Sequence, residues 1–269
     1  MAVGLVLVFS VLRAINFAHG EYYMLGALVA WTALDRLGWP YPAAVATAVA
    51  ALAALGFVVS RLLMERLLAM PFSMAVLATL GLQLALQNGA QLIWGPSPRF
   101  FGGGWIAPVQ VAGIGVVGQQ LVVAAAAAFA FAGLTWVVRA TRVGRSMRAV
   151  AQNREACEVV GLDVERVVRA TFTLGVAFAG LAGALMAPIL VNVGTTIGLP
   201  MVLRGFAIIV LGGVGSVPGA LVGGLILGVA ESLVAGYLTL QLRDAVGFAI
   251  LIVMLVVRPQ GLFGVRVRS

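Results

Sequence analysis

Lysine is absent: all 17 basic side chains of the 269-residue sequence are arginine, set against 9 acidic ones. Without lysine the chain cannot build a Gly-x-x-x-x-Gly-Lys-Ser/Thr phosphate loop, so any nucleotide chemistry of that kind belongs to another polypeptide. A single histidine, His19, cannot supply a two-histidine zinc site, and no metal site is expected. A single cysteine, Cys157, excludes an intramolecular disulfide and a cysteine-based metal cluster. No nucleophile–base pair stands out either, which leaves an intramembrane enzyme without catalytic residues. The first residues lack a basic segment and a small-residue cleavage site, so no cleaved signal peptide is expected. Charge as a whole is scarce: 10% of residues are charged, where soluble domains carry about 25%.

What fills the sequence is apolar. Hydrophobic residues make up 62% of the chain, more than a water-soluble core of this size can bury. Apolar segments fall at about 22–34, 42–60, 73–94, 114–138, 170–192, 200–214, 218–236 and 240–257, with a shorter one at 2–12. Most approach the roughly 20 residues that a helix needs to cross the hydrocarbon layer. The breaks at 35–42, 61–71, 95–108 and 139–169 carry proline, glycine and charge. Because the runs are continuous rather than alternating, strands are not expected. The reading is an all-α polytopic membrane bundle of about eight spans with broken or Gly-rich segments, forming one transmembrane domain over 1–269.

The net charge of +8 does not point to nucleic acid, because the arginines lie between apolar runs and not on one face. Their placement instead sets orientation. Arg61 and Arg66 share one loop, seven arginines occupy 139–169, and Arg258, Arg266 and Arg268 form the tail. The loops at 35–42 and 95–108 hold Arg36 and Arg99. With the rich regions in the cytoplasm, 73–94 and 114–138 make one round trip. The four segments after Arg169 then return the tail to the cytoplasm.

The connector at 139–169 is the most informative polar element. Ser146 to Val150 begins a helical stretch, Asn153 is placed to cap a second turn over 154–160, Gly161 suits its end, and Asp163 is placed to cap the helix that re-enters the membrane. Met147, Val150, Ala151, Cys157, Val160 and Leu162 supply apolar contacts among the charges. A short, capped, amphipathic element of this kind is suited to docking another protein. The plain alternative is a solvated positive-inside loop.

Polar groups also interrupt the apolar runs. Asn16, His19, Gly20 and Glu21 form one interruption, and Gly212, Gly213, Gly215 and Ser216, within 212–219, form a second. Two broken segments in the two halves of a transporter point to the translocation path, with backbone groups contacting a zwitterionic solute. Close helix packing on small residues is the alternative, and it is the preferred reading for Gly223, Gly224 and Gly228. His19 is read as a satisfied interfacial histidine near Glu21. Thr79, Gln83, Gln87 and Gln91, with Asn88 beside them, form a spacing-four stripe expected to face the bundle interior. Arg204 and Glu231 lie in apolar spans, toward the outer half of the membrane. They are expected to pair, or Arg204 to receive a carboxylate.

Three stretches resemble the LivH-type branched-chain amino acid permeases. Asn16-Phe17-Ala18-His19-Gly20-Glu21-Tyr22-Tyr23-Met24-Leu25-Gly26-Ala27 is similar to the N-terminal signature of that family. Arg148-Ala149-Val150-Ala151-Gln152-Asn153-Arg154-Glu155-Ala156, continuing to Gly161, resembles its cytoplasmic coupling segment. Gly212-Gly213-Val214-Gly215-Ser216-Val217-Pro218-Gly219-Ala220, with Gly223, Gly224 and Glu231 downstream, resembles its third signature. The resemblance implies a permease subunit of an ABC importer in the inner membrane, not an enzyme. It implies a second permease subunit, homo- or heterodimeric, cytoplasmic ATP-binding subunits that use the ATP, and a periplasmic or lipid-anchored solute-binding protein. No cofactor is expected on this chain. Arg148, Ala149, Gln152, Asn153, Ala156 and Gly161 would carry the coupling to the ATPase. Branched-chain or related amino acids lead as solutes, with urea and short amides behind them. The rival reading is a secondary transporter that needs no ATPase. One departure stands out: 15 residues precede Asn16, where members of the family usually have a full first membrane helix.

Overall fold

The computed structural model describes residues 1–12, 16–67, 70–102, 107–111, 114–239, 242–258 and 260–264. The tail arginines Arg266 and Arg268, and the first two residues of the 240–257 segment, lie outside them. The described chain is mainly helix, in the order α1 (Ala2–Leu12), α2 (His19–Trp31), α3 (Tyr41–Val59), α4 (Glu65–Leu67), α5 (Phe72–Trp94), α6 (Gly118–Ala140), α7 (Arg142–Gln152), α8 (Arg154–Val159), α9 (Val164–Leu190), α10 (Gly198–Gly212), α11 (Val217–Tyr237) and α12 (Leu242–Val257). Short π-helical turns at Thr32–Arg36 and Ser60–Met64 extend α2 and α3.

Strands do occur, against expectation. β1 (Arg99–Phe100) pairs antiparallel with β4 (Asn192–Val193), and β2 (Pro108–Val111) pairs with β3 (Ile114–Val117). The apolar run at 114–138 is therefore strand for its first four residues and helix only from Gly118. All four strands sit in connections between helices, where water can complete their backbone bonding. An open sheet edge inside lipid could not do so.

Among the described residues, four helical stretches are long and apolar enough to cross a membrane: Tyr41–Leu67, Gly118–Ala140, Val164–Leu190 and Val217–Tyr237. Ala2–Leu12, Gly198–Gly212 and Ala245–Val257 are apolar but shorter. α5 matches the four in length, and Gln83, Gln87, Asn88 and Gln91 lower its hydropathy. The chain is thus a polytopic helical membrane protein, and the expected count of eight full spans is not reproduced by helix length.

α9 is the central post, with α1, α2, α3 and α6 packed around it. Its glycines set how closely they approach. A side chain at Gly26 of α2 would meet the backbone of Gly180, so the two helices cross in direct backbone contact. Small residues play this part in membranes, where dispersion and not the hydrophobic effect holds helices together. Above the crossing the Tyr22 ring meets Phe172 edge-on at 6.0 Å.

Pro188 lies inside α9 and has no N–H to offer the Ala184 carbonyl. The Tyr41 hydroxyl takes that role, donating to Ala184 O at 3.2 Å. Gln119 Nε2 in turn donates to Tyr41 Oη and to Leu185 O, each at 2.7 Å. A proline in a spanning helix is tolerated when neighbours satisfy the freed carbonyls, and here α3 and α6 supply the donors.

The bundle has two distinct ends. One carries Arg61, Arg66 and the connector helices α7 and α8. At this end Arg169 Nε meets Glu65 Oε1 at 2.6 Å, tying the base of α9 to α4. The opposite end carries both strand pairs and an aromatic–arginine cluster. Trp31 Nε1 donates to Phe100 O at 2.9 Å, Trp94 Nε1 donates to Thr32 Oγ1 at 2.8 Å, and the guanidinium carbons of Arg36 and Arg99 each lie 5.6 Å from the Trp31 ring centre. Amphipathic rings of this kind belong at a membrane–water boundary.

The glutamine stripe of α5 is split. Thr79 and Gln83 are buried, Gln87 and Gln91 are half-buried, and Asn88 is exposed, its Nδ2 donating to Leu84 O at 2.7 Å. The four stripe residues are buried or half-buried, whereas Asn88, beside the stripe, is turned away from the interior. Each step of four residues turns a helix by about 40° beyond a full circle, so the stripe drifts outward, and Asn88 stands about 180° from Thr79.

Candidate functional site

The sequence-selected residues form three groups, at two ends of one short helix. The first lies where α2 crosses the start of α10. Asn16 Oδ1 accepts from Ala18 N at 3.1 Å and turns the chain into α2. His19, the first residue of α2, is fully buried with its ring in T-shaped contact with Tyr22, and among the described residues it makes no ion pair with Glu21. Gly20 leaves room for the Gly198 carbonyl, which a side chain there would strike. Glu21 is also fully buried, and both its carboxylate oxygens lie 2.6 Å from where a Cβ on Gly198 would stand. Neither oxygen has a hydrogen-bond partner among the described residues. The acid thus rests against the first turn of α10, whose unpaired N–H groups make that end positive.

Further along α10, Arg204 Nε lies 3.5 Å from Glu231 Oε1 on α11, with the glutamate side chain 6% exposed and the arginine 24%. The two intramembrane charges are brought together.

The glycine turn is the second group. The 15 residues of α10 place it roughly 20 Å from Glu21. The two interruptions therefore flank opposite ends of a helix, not one point, and the turn itself divides. Gly212 packs against the Gly219 carbonyl, and Gly213, at φ +102°, against the backbone of Phe263 and Gly264. Leu262 N and Phe263 N donate to Leu211 O at 2.9 Å and Gly212 O at 3.0 Å, pinning the 260–264 segment to the end of α10. These two glycines are packing residues. Gly215 and Ser216 instead reach the end of α1: Ser10 Oγ donates to Gly215 O at 3.3 Å, while Ser216 Oγ accepts from Gly219 N at 3.1 Å and caps α11. Downstream, Gly223 and Gly224 pack on Ile208, while among the described residues a side chain at Gly228 would meet nothing within 4 Å.

The connector is the third group. α7 begins at Arg142, four residues before the expected start, because Thr141 Oγ1 accepts from Gly144 N at 3.0 Å and caps it. Asn153 Oδ1 accepts from Ala156 N at 3.0 Å, so it caps α8, and Asp163 Oδ1 accepts from Arg166 N at 2.9 Å, so it caps α9. Gly161 adopts φ +80°, the left-handed conformation that ends a helix. Met147, Val150, Cys157, Val164, Val167 and Val168 pack with Leu7, Val11 and Leu134 into one cluster beneath α7. Arg148 and Gln152 line a cavity with Gly215 and Ser216, whereas Ala149, Ala156 and Gly161 are exposed.

Val160 does not join the apolar contacts expected of it. It is 80% exposed and its neighbour Val159 is 87% exposed, so the end of α8 projects two adjacent apolar side chains out of the bundle. Sequence reading missed Val159, and its signal was faint: an apolar pair directly before the glycine that ends a helix.

Known proteins match over most of the chain. The family model described as "Branched-chain amino acid transport system / permease component" matches residues 1–255. The high-affinity branched-chain amino acid transport system permease protein LivH of Escherichia coli K12 is 33% identical over 277 residues, covering 98% of this chain and 90% of LivH. BraD of Pseudomonas aeruginosa, which carries the same description, is 30% identical with the same coverage of each. The Escherichia coli permease LivM is 32% identical over 124 residues, 45% of this chain and 28% of LivM. No solved structure matches the chain.

Proposed function

Because the chain belongs to the family of branched-chain amino acid transport permease components, we propose that it is the membrane subunit of an ABC importer for a branched-chain or related amino acid. It is a transport permease and not an enzyme, and ATP is hydrolysed on separate ATP-binding subunits. The observation that carries this reading is the α7–α8 connector. It is rigidified by three side-chain caps, anchored below by an apolar cluster, and tipped by the exposed Val159–Val160 pair. A fixed element that holds adjacent apolar side chains in water is suited to a protein partner. The ATPase docks on Ala149, Asn153, Ala156, Val159, Val160 and Gly161, with Arg148 and Gln152 at the margin.

With the arginine-rich end in the cytoplasm and the strand-bearing end facing the solute-binding protein, the positive-inside rule supports a location in the inner membrane. The solute passes near the α2–α10 crossing. There Glu21 meets its ammonium group and Arg204 its carboxylate, with Asn16, His19 and Gly20 alongside. The likeness of both LivH and LivM to this chain supports a pair of permease subunits in the assembly.

The test is co-purification of tagged permease from native membranes, with mass spectrometry of its partners. Ala149→Glu, Gly161→Pro and the double variant Val159→Asp/Val160→Asp are each expected to lose a co-purifying ATPase. Proline cannot adopt the positive φ of Gly161, whereas the valine variants change only exposed side chains. Wild-type protein that carries solute and brings down no ATPase would establish a secondary transporter instead.

A further inference from the structure

Beneath α7 lies a cavity of about 880 Å³, independent of the α2–α10 crossing and of the exposed valine tip. Its inner wall is apolar, made by Leu7, Phe9 and Val11 of α1 with Val138 of α6 and Pro218 of α11. Its rim carries two arginines, Arg139 at the end of α6 and Arg148 on α7, and no acidic residue lines it. Among the described residues neither arginine has an acidic partner within 4 Å, whereas Arg154, Arg166, Arg169 and Arg204 each have one. The polar remainder is Ser10, whose hydroxyl is committed to backbone carbonyls, with Thr135, Gln152 and Ser216, hydroxyls and an amide that can serve a phosphodiester as donors.

We propose that this cavity binds an anionic phospholipid, with the phosphate of its headgroup on Arg139 and Arg148 and an acyl chain against α1 and α6. Three observations converge on that occupant. The cavity is amphipathic in the sense a lipid is, with a basic rim at the arginine-rich end and apolar depth toward the bundle. Two unpaired guanidinium groups without a nearby acid match a net negative headgroup and not a zwitterionic one. The wall made by α6 borders the membrane side, since α6 is the least buried of the four long spans. A lipid seated here would fill the space between α1, α6 and α7 and stiffen the platform from which α8 projects.

The experiment is native mass spectrometry of the full chain in neutral detergent with phosphatidylglycerol and phosphatidylcholine of identical acyl chains. Two arginines at a membrane surface correspond to a preference of about thirtyfold for the anionic lipid. Arg139→Gln/Arg148→Gln is expected to bind the two lipids equally. Arg142→Gln/Arg145→Gln removes the same charge from exposed positions off the cavity wall, and it is expected to keep the preference. Ala151→Phe, which fills the cavity while retaining both arginines, is expected to lose phosphatidylglycerol adducts. The proposal is overturned if the wild type shows no preference, if the two double variants lose it equally, or if Ala151→Phe binds as the wild type does. Melting curves on every variant separate a lost site from a lost fold, and the cavity-filling and charge-removing variants fail independently of each other.

Discussion

The Arg204–Glu231 pair allows the sharpest test of how this bundle holds its charges. At the observed separation of 3.5 Å two unit charges attract by about 5 kcal/mol at an effective dielectric constant of about 20. Removing one partner from a buried pair costs about 3–5 kcal/mol, since the other charge is then left in a medium that cannot solvate it. Arg204 retains 24% exposure, so the lower end applies, about 3 kcal/mol. Glu231→Gln and Arg204→Gln should each lower the melting temperature by about 6–12 °C. The exchanged double variant Arg204→Glu/Glu231→Arg should recover more than half of that loss, because each helix keeps one charge facing the other. The assay is thermal unfolding in a fixed detergent, completed as a double-mutant cycle. If the exchanged variant melts no higher than the worse single variant, the pair does not hold α10 to α11. Arg204 would then be available to a solute carboxylate without competition.

The glycine turn gives a paired comparison in the same assay. Gly213→Ala places a Cβ 2.6 Å from Gly264 N at φ +102°, while Gly215→Ala meets only Ser10 Oγ, at 3.6 Å and φ +81°. Both incur about 1–2 kcal/mol of backbone strain, and Gly213→Ala alone must also push the 260–264 segment off α10, so it is expected to melt distinctly lower. Asn153→Ala removes the α8 cap at about 1 kcal/mol; hydrogen exchange across 154–160 should quicken about fivefold while α9 is unchanged, and Asn153→Asp should restore protection. Tyr41→Phe leaves the Ala184 carbonyl without its donor, so a loss of about 0.6–1.7 kcal/mol is expected, read as a lower melting temperature. Val159→Asp/Val160→Asp should leave melting unchanged yet weaken ATPase association about a hundredfold, the equivalent of about 3 kcal/mol of lost apolar burial.

What could be read from the sequence was what is decided locally. A cap depends on a side chain and an N–H three residues on, so Asn153 and Asp163 were legible, as was Gly161, because a helix end needs positive φ there. The meeting of Arg204 and Glu231 followed from the rule that intramembrane charges find each other. What escaped was set by rotation or by distance along the chain. One residue at a helix end swings a side chain by about 100°, which is enough to turn Val160 from the cluster to water. An apolar run such as 114–138 looks the same whether its first residues are strand or helix, so the β2–β3 pair was invisible. The donors that rescue the carbonyls around Pro188 come from Tyr41 and Gln119, 143 and 66 residues from their acceptors, and nothing in either neighbourhood marks them.

The shortness of α10 draws these features together. At 15 residues it spans roughly 22 Å, less than the hydrocarbon thickness of about 30 Å, so both of its ends cannot reach water. An end that stops short of water needs protein partners for backbone groups that a longer helix would leave to solvent. At its start, one of the four open N–H positions is removed by Pro200, and the Glu21 carboxylate lies against the others' turn. At its finish, Leu211 O and Gly212 O accept from Leu262 and Phe263. The finish of α10 is thus closed by the 260–264 segment, whereas its start lies against a buried acid that makes no hydrogen bond among the described residues. At the glycine end Ile209 O, Leu211 O and Gly212 O have backbone partners, whereas both oxygens of Glu21 still have hydrogen-bonding capacity among the described residues. That unspent capacity, within a turn or two of Arg204, distinguishes the α2–α10 crossing from the glycine turn.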